Sequence, residues 1–321
     1  MQKDSREGSV RSQDGFGPSQ AEIADGYREF AGEDVNLWHF PMMNDDVRNS
    51  AYEAALKKAL HGGGVVLDIG TGSGLLAMLA VRHGASQVFT CEVNPQIARK
   101  AKEIIRQNGY ADRIEVINKL STDLIVGRDL PVRADILVTE IFDDGLLGEW
   151  AFSAIGHAQK SLLKPGAQII PAGARVFAAC LDSAEISGNH RVEKAAGFDV
   201  SAFNEFSTRN YIGYHLDKME YRMLTDAQPV FTFDFNHIPD DQSRRLEFIV
   251  RETGICHCIT YWYELQMDDV TRISTSPKLP RLSCWKQAVR VLESPRVLTA
   301  GETFVVNAHH DDETIWFTIQ D

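Results

Sequence analysis

Two glutamates nine residues apart and a glycine-rich loop are the features of this sequence that could do chemistry. Glu140 ends a strand predicted over 134–140, and Glu149 lies at the far end of the loop FDDGLLGEW that follows. Ligands bind at the carboxyl ends of the strands in open α/β sheets, so we expect Glu140 to lie over a ligand cleft. By composition alone, a second interpretation stays open, in which both glutamates are solvated loop residues.

The glycine-rich loop indicates what the cleft binds. An apolar strand ends at Asp68, and Gly70, Gly72 and Gly74 follow it and open a predicted helix. Glycines let the backbone turn sharply and approach a ligand, and the helix N-terminus offers unpaired N–H groups. Glu92 ends the next predicted strand, about 20 residues on, where a carboxylate can bind ribose hydroxyls. This context predicts a nucleotide or S-adenosylmethionine site, and the G-x-G-x-G spacing disfavours the dinucleotide pattern G-x-G-x-x-G.

Alternating strands and helices must position these residues. Apolar runs and capping signals alternate through the first half of the chain, which is typical of a doubly wound parallel sheet. The predicted strands are 64–68, 87–92, 113–118, 134–140 and 167–170, and the predicted helices are 45–60, 74–83, 95–108 and 150–163, with a weaker helical pattern over 21–31.

The second half of the chain has a different pattern. From Pro171 onward, seven short β-type runs separated by turn residues indicate an antiparallel sheet or barrel, and a partly helical insert interrupts them at about 187–225. We predict a flexible tail and the start of a helix over 1–35, a Rossmann-like α/β domain over 36–170 and a β-barrel-like domain over 171–321. The seven runs are ARVFAACLD, PVFTFDF, LEFIVRE, CHCITYWYELQM, WKQAVRVLES, TFVVNAHH and TIWFTIQ.

Composition narrows the class of partner. The 321 residues include 33 basic and 45 acidic side chains, a formal net charge of −12, which disfavours direct nucleic-acid binding. No apolar run approaches the ~20 residues of a membrane-spanning helix, so no membrane partner is expected. Five scattered cysteines are not typical of a disulfide framework and favour a cytoplasmic location, with a nuclear one left open. The sequence Cys256-His257-Cys258 is half a metal site at best, so no metal is expected.

The glycine loop and the two glutamates resemble those of a known enzyme family. The pattern D-x-G-x-G-x-G resembles class I S-adenosylmethionine-dependent methyltransferases, and Glu140 with Glu149 resembles the double-glutamate loop of protein arginine N-methyltransferases. The resemblance implies that both glutamates are catalytic: they grip the always-protonated guanidinium of a substrate arginine and draw its charge away from the attacking nitrogen. Glu149 is then the expected proton acceptor.

Further stretches extend this resemblance over about residues 36–321. HFPMMNDDVR resembles the helix before the first strand of the family, and 118–122 resembles its adenine-contacting loop. Cys284-Trp285-Lys286-Gln287 resembles the Thr-His-Trp loop that closes the arginine pocket, where Trp285 would make a cation–π contact. The implied substrate-binding residues are His39, Met43, Trp285 and Gln287. The implied cofactor-binding residues are Arg48, Asp68, Gly70, Gly72, Gly74, Glu92, Leu120 and Ser121.

The resemblance also implies a cofactor and partners. The cofactor would be S-adenosyl-L-methionine, with S-adenosyl-L-homocysteine as product, and the substrate an arginine-containing protein or peptide. The segment at about 198–222 falls where the family has its helical dimerisation arm, so we expect a homodimer. Cys284 stands where the family has a histidine, so a histidine–carboxylate pair cannot form there.

The sequence leaves the product and the exact activity open. The resemblance is closest to the branch of the seventh and ninth human members, in a single-module form, and it implies monomethylation, with symmetric dimethylation as the alternative. A class I methyltransferase that does not act on arginine and a cofactor-binding scaffold without catalysis are also compatible with the sequence. An NAD-dependent dehydrogenase is disfavoured by the glycine spacing.

Overall fold

The computed structural model describes residues 35, 37–208, 210–279 and 284–319. The predicted tail over 1–35, apart from Val35, and the weak helical pattern over 21–31 lie outside the described residues.

A five-stranded parallel sheet forms the first half of the described chain. Its strands follow the order β3-β2-β1-β4-β5, so the order reverses between β1 and β4, and the carboxyl ends of these two strands flank a cleft. The strands are β1 Val65–Ile69, β2 Gln87–Cys91, β3 Ile114–Ile117, β4 Ala134–Thr139 and β5 Leu163–Ile170. The helices are α1 His39–Met43, α2 Asp46–Ala59, α3 Leu75–Arg82, α4 Pro95–Gln107 and α5 Ala151–His157.

Capping residues fix where the helices beside the cleft begin. Asp45 accepts a hydrogen bond from the Arg48 backbone N–H at 3.0 Å and caps α2. Asn94 accepts from the N–H groups of Gln96 and Ile97, with Pro95 as the first residue of α4. The predicted βαβα order is confirmed, and no end of these elements differs from the predicted one by more than one residue.

The sequence pattern is less accurate after β4. The predicted helix over 150–163 is α-helical only over Ala151–His157 and continues as a π-helix over Ala158–Leu162. The strand predicted over 167–170 begins earlier, at Leu163, because Leu163 pairs with Ala134 across an irregularity in the register.

The second half of the chain is antiparallel. All seven predicted β-type runs are strands, which confirms a Rossmann-like domain followed by a β domain. One sheet has the order β10-β6-β13-β15-β9, with β11 paired to β6 and β14 to β13, and a second has the order β12-β16-β17. The strands are β6 Gly173–Asp182, β7 Lys194–Ala195, β8 Phe198–Asp199, β9 Ile212–Tyr214, β10 Arg222–Met223, β11 Gln228–Asp234, β12 Gln242–Ile249, β13 Gly254–Gln266, β14 Arg272–Ser274, β15 Gln287–Leu298, β16 Thr303–His310 and β17 Ile315–Ile319.

The segment predicted as a helical arm is mostly not helical. Between 198 and 222 the described residues form 3-10 helices at Ser201–Phe206 and Leu216–Lys218 and short strands, while the α-helix of this region, α6 Ala184–His190, precedes the segment. Strand β9 pairs with β15, so the returning half of the segment belongs to the β domain.

A continuous apolar core joins the two halves. Phe142 and Phe152 of the first half pack with Phe235 and Trp285 of the second in one buried cluster. No helix within the described ranges is long and apolar enough to span a membrane.

We predict that Gly74 is required for stability because of its backbone. Its φ of +80° is left-handed, and a Cβ there would lie 2.9 Å from Cδ1 of the buried Ile105. Gly74→Ala should lower the free energy of unfolding by about 1–3 kcal/mol in denaturant titrations. Gly62→Ala is the matched control, since Gly62 has open space around it and should change stability by less than about 1 kcal/mol. An equal loss in both variants would contradict the backbone argument.

Candidate active site

Two cavities meet at the carboxyl edge of the parallel sheet. The sheet-edge cavity lies between the glycine loop, the end of β2 and α1. The interdomain cavity lies between α1, the loop after β4 and the residues before β15. Both are lined by Glu140 and Glu149, together with Trp38 and Met42. The two glutamates therefore lie between two cavities, each of which could hold a different ligand.

The glycine loop is attached to the end of β2 by backbone hydrogen bonds. The N–H groups of Gly70 and Thr71 both donate to Cys91 O at 3.1 Å. Glu92 accepts from Gly72 N at 3.1 Å and from Asn94 N at 3.0 Å, and burial raises its pKa. Gly70, Gly72 and Glu92 line the sheet-edge cavity, as a cofactor site there requires.

Asp68 and Gly74 support the glycine loop but are not among the residues that line the cavities. The carboxylate of Asp68 is fully buried and accepts from Thr90 Oγ1 at 2.7 Å, and Thr90 Oγ1 lies 2.7 Å from Thr71 Oγ1. Burial raises the pKa of Asp68 to about 7. The strand and α3 turn Asp68 and Gly74 inward, so the structure shows a supporting role for them, and their contact with the cofactor stays a prediction.

Arg48 forms an ion pair with Glu140. Its guanidinium donates to Glu140 Oε2 and to Asn49 Oδ1, and lies 5.4 Å from the ring of Tyr52. Both members of the pair are nearly inaccessible, with side chains 4% and 6% exposed. Burial raises the pKa of Glu140, and the adjacent Arg48 opposes that shift. Glu140 therefore lies beside a fixed positive charge.

Glu149, unlike Glu140, has no positive charge beside it among the described residues. Within the described residues, no group donates a hydrogen bond to its carboxylate, although it lines both cavities. Burial, together with the nearby charges of Glu140, Asp143 and Asp144, raises its pKa to about 8. A cation placed between the two glutamates would remove this electrostatic cost, because opposite charge favours the ionised carboxylate.

The β domain holds the loop between the two glutamates. Trp285 Nε1 donates to Phe142 O at 2.7 Å, Tyr263 Oη donates to Asp143 O at 2.9 Å, and Lys286 N donates to Asp144 Oδ1 at 2.8 Å. The Trp285 side chain is buried and forms a wall of the interdomain cavity. The loop is thus built by both halves of the chain.

The cap of α2 makes a second link between the halves. Asp45 Oδ2 accepts from Cys284 N at 2.6 Å while Asp45 Oδ1 caps the helix. Cys284 lies in the interdomain cavity, and burial raises the pKa of its thiol. Position 284 holds no histidine that could pair with a carboxylate. Glu140 instead forms its ion pair with Arg48.

The structure does not bring all four predicted substrate residues together. Gln287 is fully buried, where its amide donates to Thr275 O and accepts from Leu216 N, so it holds the β domain together and the prediction of substrate contact is wrong. His39 and Met43 line the sheet-edge cavity rather than the interdomain cavity, because α1 turns them toward the glycine loop. Trp285 alone of the four lines the interdomain cavity.

The remaining predicted cofactor residues form a side pocket next to the sheet-edge cavity. Leu120 and Ser121 line it together with Gly70, Glu92 and Trp150. The loop that carries them is held to the end of β2, since Asn118 Nδ2 donates to Glu92 O at 2.7 Å.

Several residues of the site are not among those predicted from the sequence. Trp38, an exposed large aromatic side chain, lines both cavities. Asp143 and Asp144 line the interdomain cavity, and in the sequence they indicate only an acidic loop. Each aspartate also accepts a hydrogen bond from a β-domain residue more than 60 positions away, Tyr211 for Asp143 and Lys286 for Asp144, and no local pattern could have found these contacts.

The sheet-edge cavity fits a cofactor that carries both a sugar and an anionic group. Glu92 offers a carboxylate to hydroxyls, and the buried Nε of Arg48 has no hydrogen-bond partner within the described residues. An anionic group beside Arg48 would satisfy this donor.

Comparisons with known proteins place the chain among methyltransferases. The model of ribosomal protein L11 methyltransferase (PrmA) matches residues 53–174, and that of the arginine methyltransferase oligomerization subdomain matches residues 173–321. An arginine N(omega)-methyltransferase of Streptomyces achromogenes subsp. streptozoticus is 39% identical over 297 residues, which cover 92% of this chain and 82% of that protein.

A Drosophila relative agrees with this placement, and two solved structures are similar in fold. Protein arginine N-methyltransferase 7 of Drosophila melanogaster is 31% identical over 330 residues, 89% of this chain and 48% of that protein, so the chain spans about half its length. The Trypanosoma brucei PRMT1 enzyme–prozyme heterotetrameric complex with AdoHcy has a TM-score of 0.74 at 23% identity, over 84% of this chain and 86% of that chain. Protein arginine methyltransferase 10 of Arabidopsis thaliana has a TM-score of 0.68 at 18% identity, over 86% and 96%. These two structures share the fold.

We predict that Glu149 destabilises the ligand-free protein at neutral and higher pH. Its folded pKa of about 8 exceeds the unfolded value of about 4.3, so the folded state binds the proton more tightly and stability falls as pH rises between these values. Glu149→Gln should therefore raise both the melting temperature and the free energy of unfolding. The gain in free energy of unfolding should grow from pH 5 to pH 8 by up to about 1.4 kcal/mol per pH unit. Thermal melts at pH 5, 6.5 and 8 measure this, with the exposed Glu302→Gln as control; a gain independent of pH would contradict it.

Proposed function

This chain belongs to the protein arginine N-methyltransferase family, and we propose that it transfers one methyl group from S-adenosylmethionine to a guanidino nitrogen of arginine in a protein or peptide. The observation that carries the proposal is the placement of Glu140 and Glu149. Both line the sheet-edge cavity and the interdomain cavity, so a cation held by them would contact groups bound in either one.

The chemistry of arginine explains why two carboxylates are needed. The guanidinium stays protonated in water, and its delocalised charge makes each nitrogen a weak nucleophile. Two carboxylates hold the fork-shaped cation and draw positive charge toward the nitrogens that do not react. Arg48 opposes the rise that burial causes in the pKa of Glu140, whereas Glu149, with a pKa raised to about 8, is suited to accept the proton that the methylated nitrogen loses.

The cofactor would be held by residues of the sheet-edge cavity and the side pocket. S-adenosylmethionine supplies an electrophilic sulfonium methyl group when it is bound. We propose that Arg48 pairs with its carboxylate, that Glu92 accepts from its ribose hydroxyls, and that Leu120 and Ser121 contact its adenine. Two observations support this assignment: the buried Nε of Arg48 has no hydrogen-bond partner in the described part of the chain, and the side pocket lies beside Glu92.

Monomethylation is proposed from the branch of the family that the sequence resembles. NKLSTDL and RADILVTEIFD resemble the branch of the seventh human member, which makes only monomethylarginine. The alternative, symmetric dimethylation, keeps its support from WHFPMMNDDVRN, which resembles the ninth member at least as much.

Free arginine is a second candidate substrate. The Streptomyces relative is named for arginine and not for protein arginine, and it is matched over 82% of its length, against 48% for the Drosophila protein. A free amino acid would use the same two glutamates, so the distinction lies outside the catalytic pair.

A homodimer is proposed from the oligomerization subdomain and from exposed aromatic residues. Phe198, Phe203 and Phe206 are 67–77% exposed, within the segment expected to form the arm. Large exposed aromatic side chains that lie close together are typical of a protein–protein interface.

A cytoplasmic location is proposed from the cysteines. All five are free thiols in the structure, and four are buried, as a reducing compartment allows.

We predict that each catalytic glutamate is required for turnover and neither for cofactor binding. Glu140→Gln and Glu149→Gln should each lower kcat/KM by at least about 10²–10³-fold, because a neutral amide polarises the guanidinium poorly. Calorimetry should show that S-adenosylhomocysteine still binds both variants, and Glu302→Gln should match the unmodified chain in both assays. Near-normal turnover in both single variants would overturn the assignment.

The product of the unmodified chain tests the function itself. We expect incubation with labelled S-adenosylmethionine and an arginine-rich peptide to yield monomethylarginine alone by mass spectrometry. Symmetric dimethylarginine would correct the product, and methylation of free L-arginine but not of the peptide would favour the second substrate. Cofactor binding without any methylated arginine would overturn the proposal.

A further inference from the structure

The loop that carries Glu149 has no regular secondary structure of its own between Phe142 and Ala151. Two of its non-glycine residues, Leu146 and Trp150, have left-handed backbone φ values of 80° and 56°. Such conformations persist only where the surroundings enforce them. Since Glu149 lies directly before Trp150, whatever fixes this loop also fixes the position of the carboxylate.

The carboxylate of Asp143 fixes the loop from within. Its Oδ1 accepts hydrogen bonds from Gly145 N at 3.1 Å and Gly148 N at 3.0 Å, and its Oδ2 accepts from the hydroxyl of Tyr211. One side chain thereby satisfies the two amides of the turn immediately before Glu149. The single hydroxyl of Tyr211 orients that side chain from outside the loop.

Tyr211 also sets the shape of the loop by contact. A Cβ at Gly145 would collide with the ring of Tyr211, and a Cβ at Gly148 would lie 2.7 Å from its hydroxyl oxygen. Both glycines therefore allow the loop to close against this tyrosine. Neither φ value is in the left-handed region, so close approach is what these two positions require.

The β domain holds Tyr211 in place by two contacts. Its ring packs edge-on against Tyr261 with centroids 5.6 Å apart, and the next residue, Ile212, begins β9 and pairs with Val289 of β15. Tyr211 lines neither the sheet-edge cavity nor the interdomain cavity. It is thus connected to the site through Asp143.

We propose that Tyr211 is a positioning residue for arginine methylation: through the carboxylate of Asp143 it holds the turn at Gly145 and Gly148 and so places Glu149 between the two cavities. This inference rests on the proposed role of Glu149. The sequence contains no local signal for it, since Tyr211 and Asp143 are 68 positions apart.

Removal of the hydroxyl alone tests the proposal. Tyr211→Phe keeps the ring contact with Gly145 but leaves Asp143 Oδ2 without its donor. We expect kcat/KM for an arginine peptide to fall at least 10-fold per folded molecule, mainly through kcat, while the Kd for S-adenosylhomocysteine changes less than 2-fold.

Tyr261→Phe is the matched control. It also removes a buried tyrosine hydroxyl, which donates to Ile315 O at 3.4 Å. The Tyr261 ring packs against Tyr211, and the Tyr261 hydroxyl makes no hydrogen bond to the described residues of the loop. It should lower the melting temperature without changing kcat/KM by more than 2-fold. Equal losses of kcat/KM in both variants would show a general structural effect and overturn the proposal.

A double-variant cycle tests whether Tyr211 acts through Asp143. If it does, Tyr211→Phe combined with Asp143→Ala should be no less active than Asp143→Ala alone, because residues that act through one contact are not additive. Additive losses would overturn the route through Asp143.

Hydrogen exchange gives a readout that needs no turnover. In Tyr211→Phe, exchange should accelerate at least 10-fold at the amides of Gly145 and Gly148 and stay unchanged in Tyr261→Phe. This outcome supports the positioning role even if the unmodified chain fails to methylate arginine, in which case only the proposed function fails. Unchanged exchange in Tyr211→Phe would overturn the positioning role itself.

Discussion

Several carboxylates lie close together in one enclosed cavity, and the rest of the structure depends on how their negative charges are stabilised. Glu140 and Glu149 lie together where the parallel sheet meets the β domain, with Asp45, Asp143 and Asp144 in the same interdomain cavity. Unpaired charges in such a place are costly, so each needs a donor or a cation nearby. Among the residues that the structure describes, four of the five have one, and Glu149 is the exception.

The donors explain why a parallel sheet alone cannot build this site. Asp45 receives the N–H of Cys284, Asp144 receives that of Lys286, and the hydroxyl of Tyr211 reaches Asp143, all from the β domain. The sheet provides the cleft and the glycine loop, since these follow from where β1 and β4 end. The β domain then stabilises the acidic loop, and the continuous apolar core holds the parallel-sheet domain and the β domain together.

A feature could be predicted from the sequence where residues close together in the chain determine it, and not where residues far apart in the chain do. The order of strands and helices, the glycine loop and the place of Glu140 follow from local patterns, and the structure agrees with them. Gln287 shows the limit: its neighbour Trp285 lines the cavity, but the strand buries Gln287 on Thr275 and Leu216, contacts that no spacing reveals. His39 and Met43 likewise follow the direction in which α1 packs. The π-helix after α5 leads directly into β5, whose register with β4 is irregular, and neither feature has a local signal in the sequence.

The difference between the two glutamates is what makes their proximity useful. Two carboxylates with the same environment would bind a cation symmetrically and leave no group prepared to take a proton. Here Glu140 has Arg48 beside it, which opposes the rise in its pKa, whereas the pKa of Glu149 rises to about 8 next to other negative charges. In the proposed reaction, a guanidinium cation lowers the pKa of Glu149 when it binds, so Glu149 binds the substrate as an anion. The methylguanidinium product carries the same single positive charge as the substrate, so the methylated nitrogen must release one proton. Glu149 is placed to accept that proton, while Glu140 holds the substrate throughout.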